Sequence, residues 1–277
     1  MSSHPTSAIP RRERGRALCV ALWTKAVELV VLAKVRLQGG SLGKMDRWAL
    51  GAIHALMLRQ LERMRSLADV EGQRRGDVRA RSGVHNAAVI LCASDPAWRT
   101  EADREAELLR ETLGARAEVH HIGSTAIERL AAKPIVDLAA TLPADRFAAA
   151  FGETKAKLHA LGYGYLGVRG GHFFEKAVAS IRTHALQVHP AGSQILVELL
   201  GFRDALRADG VLRVDYEATK VALAAFFPGR RLFYVFYKSH WIDDWQWRHS
   251  RVPDWADWFL DQKRAQTLLA RAAQSQR

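Results

Sequence analysis

Chemistry is most plausible around two short runs of the chain. The first is His120-His121-Ile122-Gly123-Ser124-Thr125, an extended stretch that turns at Gly-Ser into a short helix; the second is Lys133-Pro134-Ile135-Val136-Asp137, which begins a strand. A Gly-Ser turn opening a helix presents backbone N–H groups and the positive end of a dipole, which suits a phosphate at Gly123, Ser124 and Thr125. The strand that follows delivers Asp137, and a hard cation such as Mg²⁺ would link that carboxylate to bound phosphates. Lys133 either offsets phosphate charge or starts the strand as a solvated cation. Gly-Ser alone is usually just a turn. Its coupling to Lys133 and Asp137 is what strengthens the phosphate reading. His120 and His121 alternate across a strand, so a structural, hydrogen-bonded role is the ordinary expectation for each.

The string His121-Ile-Gly-Ser-Thr-Ala-Ile, with Leu130-Ala-Ala-Lys-Pro-Ile-Val-Asp137, resembles the GrpB family, a group of nucleotidyltransferases predicted from sequence. Asp95-Pro96-Ala97-Trp98, Leu161-Gly162-Tyr163, Phe173-Phe174-Glu175-Lys176, Arg182-Thr183-His184 and Phe202-Arg203-Asp204-Ala205-Leu206 fit the same pattern in order, as do Tyr216, Lys220 and Lys238. The resemblance spans about residues 88 to 250. It implies an α+β fold like that of the polymerase β-like nucleotidyltransferases, a mixed sheet flanked by helices, with a nucleoside triphosphate and Mg²⁺ as ligands and an acceptor that the sequence does not identify. It also marks His121 and His184 as family positions, and raises Lys220 and Lys238 to candidates for a phosphate-contacting rim.

In that wider superfamily two carboxylates one residue apart on the strand hold two metal ions, and a later strand adds a third. Alternation along a strand would put both acids on one face. Here Asp137 stands at the first position and Ala139 at the second, and the later run Thr183-His-Ala-Leu-Gln-Val-His189 has no acid. The family's His-His-Leu-His run is reduced to His184, with Ala185 and Gln187 at the other two histidine positions. A one-metal site, a degenerate enzyme and a binding module are therefore all compatible with the residues.

The elements that would position these groups follow from periodicity and turn chemistry. Helices are expected over 101–113, 147–161, 193–206, 214–226 and 232–247, and strands over 117–122, 134–142, 163–168, 172–178 and 183–189. Glu175 and Lys176, adjacent on a hairpin, read as an ordinary surface pair. Upstream, helical spacing over 17–37 and 48–67 predicts a helical extension, and the Arg-rich, apolar-poor run 71–85 reads as a linker. The division expected is 1–85 as extension and linker, 86–250 as the main domain, and 251–277 as an amphipathic C-terminal helix.

Composition limits the alternatives. With 277 residues, 48% hydrophobic and 25% charged, the chain can bury a sizeable core, which excludes a short disordered effector. Two cysteines cannot form a disulfide framework, and no zinc spacing, Walker loop, serine triad or dinucleotide glycine motif is present. Net charge is +12, yet residues 1–87 hold 16 Lys and Arg against 7 Asp and Glu, so most of the excess lies in the extension. Contact with nucleic acid, if made, is expected through residues 1–85, although a solvated helix face is the simpler reading of those arginines. The apolar run after Arg16 is too interrupted by Lys25, Glu28 and Lys34 to cross a membrane, and the cytoplasm is the expected location. Ten of 23 aromatic residues fall between Phe233 and Phe259, where helical steps favour core packing over base stacking.

Overall fold

The computed structural model describes residues 9–37, 42–68, 84–85, 89–168, 171–178 and 181–274. Most of the expected linker, residues 71–83, and the glycine break at 39–40 lie outside the described residues. No helix among the described residues is long and apolar enough to cross a membrane.

Tertiary packing gathers the chain into two units, residues 1–76 with 216–262 and residues 77–215 with 263–277. This grouping differs from the three consecutive segments expected from sequence, because the last helices pack with the first ones.

The helical unit is built from α1 (Arg11–Leu37), α2 (Lys44–Leu67), the second half of α6 (Gly210–Phe226), α7 (Arg231–Arg248) and the start of α8 (Trp255–Gln274). Its core joins Val31 and Val35 of α1, Leu50 and Ile53 of α2, and Trp255, Trp258 and Phe259 of α8. Tyr237 on α7 donates its hydroxyl to the carbonyl of Ala17 at 2.7 Å. The aromatic-rich tail thus serves packing. His54, one of the apolar-face positions of α2, has both ring nitrogens engaged, Nδ1 with His240 Nε2 and Nε2 with Asp244 Oδ1, each at 3.0 Å, and Trp255 stacks on its ring.

The second unit is a mixed sheet with strand order β2-β3-β6-β5-β4, where β2 is Val119–Ile122, β3 Val136–Leu142, β4 Tyr163–Val168, β5 His172–Val178 and β6 Ile181–Pro190. Two-residue β1 (Val84–His85) pairs with the first residues of β6. Only β3 and β6 run parallel; β2–β3, β4–β5 and β5–β6 are antiparallel. All but one of the β3 residues are buried, as suits a central strand covered on both faces.

One face packs on α3 (Ala97–Leu113) and α4 (Phe151–Ala160): Ala102, Ala106 and Leu109 meet Val136, Leu138, Leu186 and Val188, and Leu158 closes the layer. Each such buried leucine contributes about 1.5–3 kcal/mol. Asp95 Oδ1 accepts the Ala97 N–H to start α3, and Gly114, at φ 98°, ends it. The helix expected from 147 begins at Phe151, after a run of turns from Ala144, while Phe147 still packs on the core. The opposite face is met by α5 (Gln194–Ala208), whose Leu196 covers Ile122 and Ala139.

Candidate functional site

The candidate site lies where β2 leaves the sheet and the chain returns as β3. Ile122 pairs with Asp137, and Gly123 then adopts φ 69°, a left-handed value that favours glycine. Ser124–Ala126 form a single 3-10 turn, closed by Ala126 N–H to Gly123 O and Ile127 N–H to Ser124 O. A Cβ on Gly123 would sit 2.6 Å from Asp137 Oδ2 and 2.9 Å from its Cβ. Backbone and carboxylate are in contact, and only glycine permits it. Gly123 is exposed, with Ser124 and Asp137 half-buried, so the turn and the acid meet at the surface.

Register defines what shares that face. Asp137 aligns with Ala185 of β6 and then Glu175 of β5, and Ala139 with Gln187 and then Phe173. Ala139 is fully buried against Ile122, Leu196 and flanking leucines of α5, and Ala185 against Ile135 and Phe173. Position 139, where the resemblance implies a second acid, and position 185, one of its histidine positions, are therefore filled with packed apolar groups. Glu175, which sequence reasoning treated as half of a surface pair with Lys176, lies in the same row as Asp137 and pairs with the buried Arg182 at 3.6 Å. Two strand spacings, about 10 Å, separate it from Asp137, too far for one small ion to be shared. Lys176 faces the other side of the sheet, toward Glu105.

Thr125 and His121 have structural partners. Thr125 is buried, and its hydroxyl donates to Ile135 O at 3.2 Å, tying the turn to the start of β3. Its oxygen also lies 3.0 Å from His121 Nε2. Since the hydroxyl proton is already given to the carbonyl, Nε2 must carry the imidazole proton. Burial, reinforced by the charge of Arg207, lowers the His121 pKa to about 4, so the ring is neutral at ordinary pH.

Two arginines of α5 hold the turn from outside. Arg203 Nη1 donates to His121 O at 3.1 Å, and Arg207 donates twice to Ala126 O, at 3.1 and 2.9 Å. Arg203 belongs to the string that carries the family resemblance and Arg207 lies just beyond it; their i, i+4 spacing on a helix is the sequence signal that pairs them. Arg207 also lines a cleft of about 1020 Å³ with Arg99, Arg129, Arg213 and Asp103, bordered by His121, Thr125 and Ala126. Burial and the neighbouring Arg203 hold the Arg207 pKa below its usual value. Arg129 has φ 60°, the one positive φ outside glycine among the described residues, and its N–H donates to Ser94 Oγ at 3.1 Å. Neither Gly123, Ser124 nor Asp137 lines this cleft, which borders the turn at Thr125–Ile127.

The remaining candidates are dispersed. Lys133 is half-buried just before β3, and its carbonyl accepts the Ile135 N–H at 2.7 Å. His184 aligns with Val136, so it faces α3, on the side of the sheet opposite Asp137. Lys220 and Lys238 belong to the helical unit. Lys220 is enclosed at 1% exposure with its ammonium 4.9 Å from the Tyr216 ring, which is not the setting of a solvated rim. Lys238 is half-buried on α7.

A single carboxylate beside an exposed turn fits a Mg²⁺ ion that keeps water and substrate phosphates as its other ligands. Ala139, at the position where the resemblance implies a second acid, is buried and offers no ligand to a second ion.

Comparison with known proteins gives a consistent set of matches. A family model described as GrpB protein matches residues 88–248. The UPF0157 protein YqkA of Bacillus subtilis is 34% identical over 149 residues, covering 52% of this chain and 42% of that protein. The glutamate-rich protein GrpB of Alkalihalophilus pseudofirmus is 28% identical over 169 residues, covering 58% and 96%. A crystal structure of the conserved protein GrpB from Enterococcus faecalis superposes with a TM-score of 0.51 at 26% identity, over 58% of this chain and 99% of that one. The chain thus spans less than half of the Bacillus subtilis relative and nearly all of the other two.

Proposed function

Because this chain belongs to the GrpB family, we propose that its sheet unit binds a Mg²⁺ complex of a nucleoside triphosphate, with the phosphates at Gly123 and Ser124 and the cation at Asp137. The observation that carries this reading is the contact between Gly123 and Asp137, where a Cβ would come within 2.6 Å of the carboxylate oxygen. A turn that tolerates no side chain, set against an acid at the surface, is what close approach of a phosphate and its cation requires. Arg203 and Arg207 keep the turn in place through its carbonyl groups. Lys133, at the approach to β3, adds positive charge. Bound there, Mg²⁺ would withdraw charge from the phosphates and so ease departure of pyrophosphate.

Burial of Ala139, at the position where the resemblance implies a second acid, favours a second reading, in which the nucleotide is bound and not turned over. The residues retained suffice to hold a cation and phosphates, whereas nucleotidyl transfer to an acceptor asks in addition for activation of the acceptor hydroxyl or amine, which the superfamily assigns to the missing acids.

Thermal unfolding of the whole chain with ATP, CTP, GTP and UTP, each with and without Mg²⁺, tests the binding. Ligand at 100 times its Kd adds about 2.7 kcal/mol. For a chain of this size that is a shift of roughly 5 to 10 °C. The expected result is a Mg²⁺-dependent shift that Asp137→Asn abolishes; no shift with any nucleotide would overturn the proposal. Release of pyrophosphate by the protein with bound nucleotide would decide for transfer over binding alone.

A further inference from the structure

A second group of ligating side chains lies on the other face of the sheet. Glu101 and Glu105 stand one turn apart on α3, and His184 of β6 points at them; one donor atom from each falls within 4.8 Å of the others. Acidic clusters are common and closed salt bridges often account for them. Part of this one is so accounted for: Glu105 Oε1 accepts from Lys176 and from the Tyr163 hydroxyl, and Arg104 forks onto Glu101 at 2.6 and 3.1 Å.

His184 is what these ion pairs leave unexplained. It is 5% exposed, and its Nε2 is buried without a hydrogen bond. The Thr183 hydroxyl donates to Lys176 O at 3.3 Å, so its oxygen accepts, and His184 Nδ1, 3.0 Å away, must be the nitrogen that bears the proton. That leaves Nε2 as a bare lone pair. It faces Glu101 Oε1 across 3.2 Å, one acceptor against another. An imidazole oriented through Nδ1, with its free lone pair converging on two carboxylates, is the arrangement found around metal ions, where an outer hydrogen bond fixes the tautomer.

We propose that Glu101, Glu105 and His184 bind a transition-metal dication of the Zn²⁺ class. One imidazole and two carboxylates suit Zn²⁺, Co²⁺ or Mn²⁺, whereas Mg²⁺ prefers oxygen alone. Three protein ligands also leave a fourth position open to water or a substrate atom. Donor atoms around Zn²⁺ sit about 3.3 Å apart, so the present spacing must contract. Glu101 is the residue free to do this: its side chain is 36% exposed, and the Arg104 that holds it is 66% exposed, so the pair is screened and yields readily. Glu105, at 1%, and His184 are fixed. The site is distinct from the one at Asp137, since Val136, which aligns with His184, and Asp137 point to opposite faces.

The test is metal uptake by the full, tag-free chain after chelation and dialysis, measured by metal analysis and by titration of the visible Co²⁺ spectrum, with Zn²⁺ as competitor. One equivalent of Zn²⁺ is expected. Glu101→Gln should lose it while keeping the native circular dichroism spectrum, and Thr183→Val, which leaves all three ligands in place, should weaken it about 10- to 100-fold. Asp137→Asn should bind as the unaltered protein does. Absence of stoichiometric uptake, or uptake equal in the unaltered protein and Glu101→Gln, would overturn the proposal and leave a closed salt-bridge cluster. Loss of uptake in Asp137→Asn would overturn it as well, by assigning the metal to the other face.

Discussion

At the scale of single residues, Gly123 is the position on which the nucleotide proposal turns most sharply. Its φ of 69° already disfavours any L side chain, and the contact with Asp137 leaves no room for a methyl group. Gly123→Ala must therefore move either the turn or the carboxylate. The expected outcome is a loss of stability of more than about 1 kcal/mol. With it should go the Mg²⁺-dependent shift with nucleotide, while the circular dichroism spectrum stays native. Gly114, also at positive φ, has nothing within 4 Å of the point where a Cβ would stand, so Gly114→Ala serves as the control that bears the backbone cost without the clash. A nucleotide-dependent shift that persists in Gly123→Ala would refute the role given to the turn. Residue types disclosed much here: the glycine, the serine and the acid were legible as a group because their spacing matches a turn followed by a strand. What spacing could not disclose was direction. The Thr125 hydroxyl is spent on Ile135 O, which its residue type does not disclose, and Glu175, an ordinary surface charge by its type, is aligned with Asp137 by register.

At the scale of elements, β3 and α5 together decide what the site lacks. The resemblance implies an acid where Ala139 stands; only packing shows how the alanine is accommodated, with Leu196 and its neighbours lying over the position. Restoring the acid should consequently fail. Ala139→Asp places a carboxylate at a position with 0% exposure among leucines, and an unpaired buried charge costs roughly 3 kcal/mol or more. For a chain of this size the unfolding midpoint should fall by roughly 6 °C or more. No pyrophosphate release should appear. Pyrophosphate release with an unchanged midpoint would mean that α5 opens and that the site needs only its missing ligand. Strands and late helices were otherwise readable from alternation and from glycine and proline punctuation. The start of α4 was not, because Phe147 has the apolar character of a helix face yet sits in turns that simply lean on the core.

At the scale of the whole molecule, composition suggested a basic extension joined to an independent domain, and packing groups the chain otherwise. Charge and linker composition are local properties, whereas the partner of a helix is set by which apolar face it finds, so nothing in the sequence of α1 and α2 announced that they would pack with α7 and α8. The helices α1 and α2 share a core with Trp255, Trp258 and Phe259, and the buried hydroxyl of Tyr237 depends on the carbonyl of Ala17. A chain shortened to residues 86–277 removes those partners. It would expose the faces of Tyr237, Trp255 and Phe259, all of which are now buried, and would leave the Tyr237 hydroxyl without its acceptor. Exposed apolar surface of this kind seeks another copy of itself. The shortened chain should therefore self-associate on size-exclusion chromatography and bind a hydrophobic dye that the full chain does not. The sheet unit loses only the two-residue β1, which pairs with the first residues of β6, and any nucleotide-dependent shift should persist in the fraction that stays in solution. A shortened chain that runs as a well-folded monomer without dye binding would show that α1 and α2 are dispensable decoration, and that the family region carries a closed core by itself.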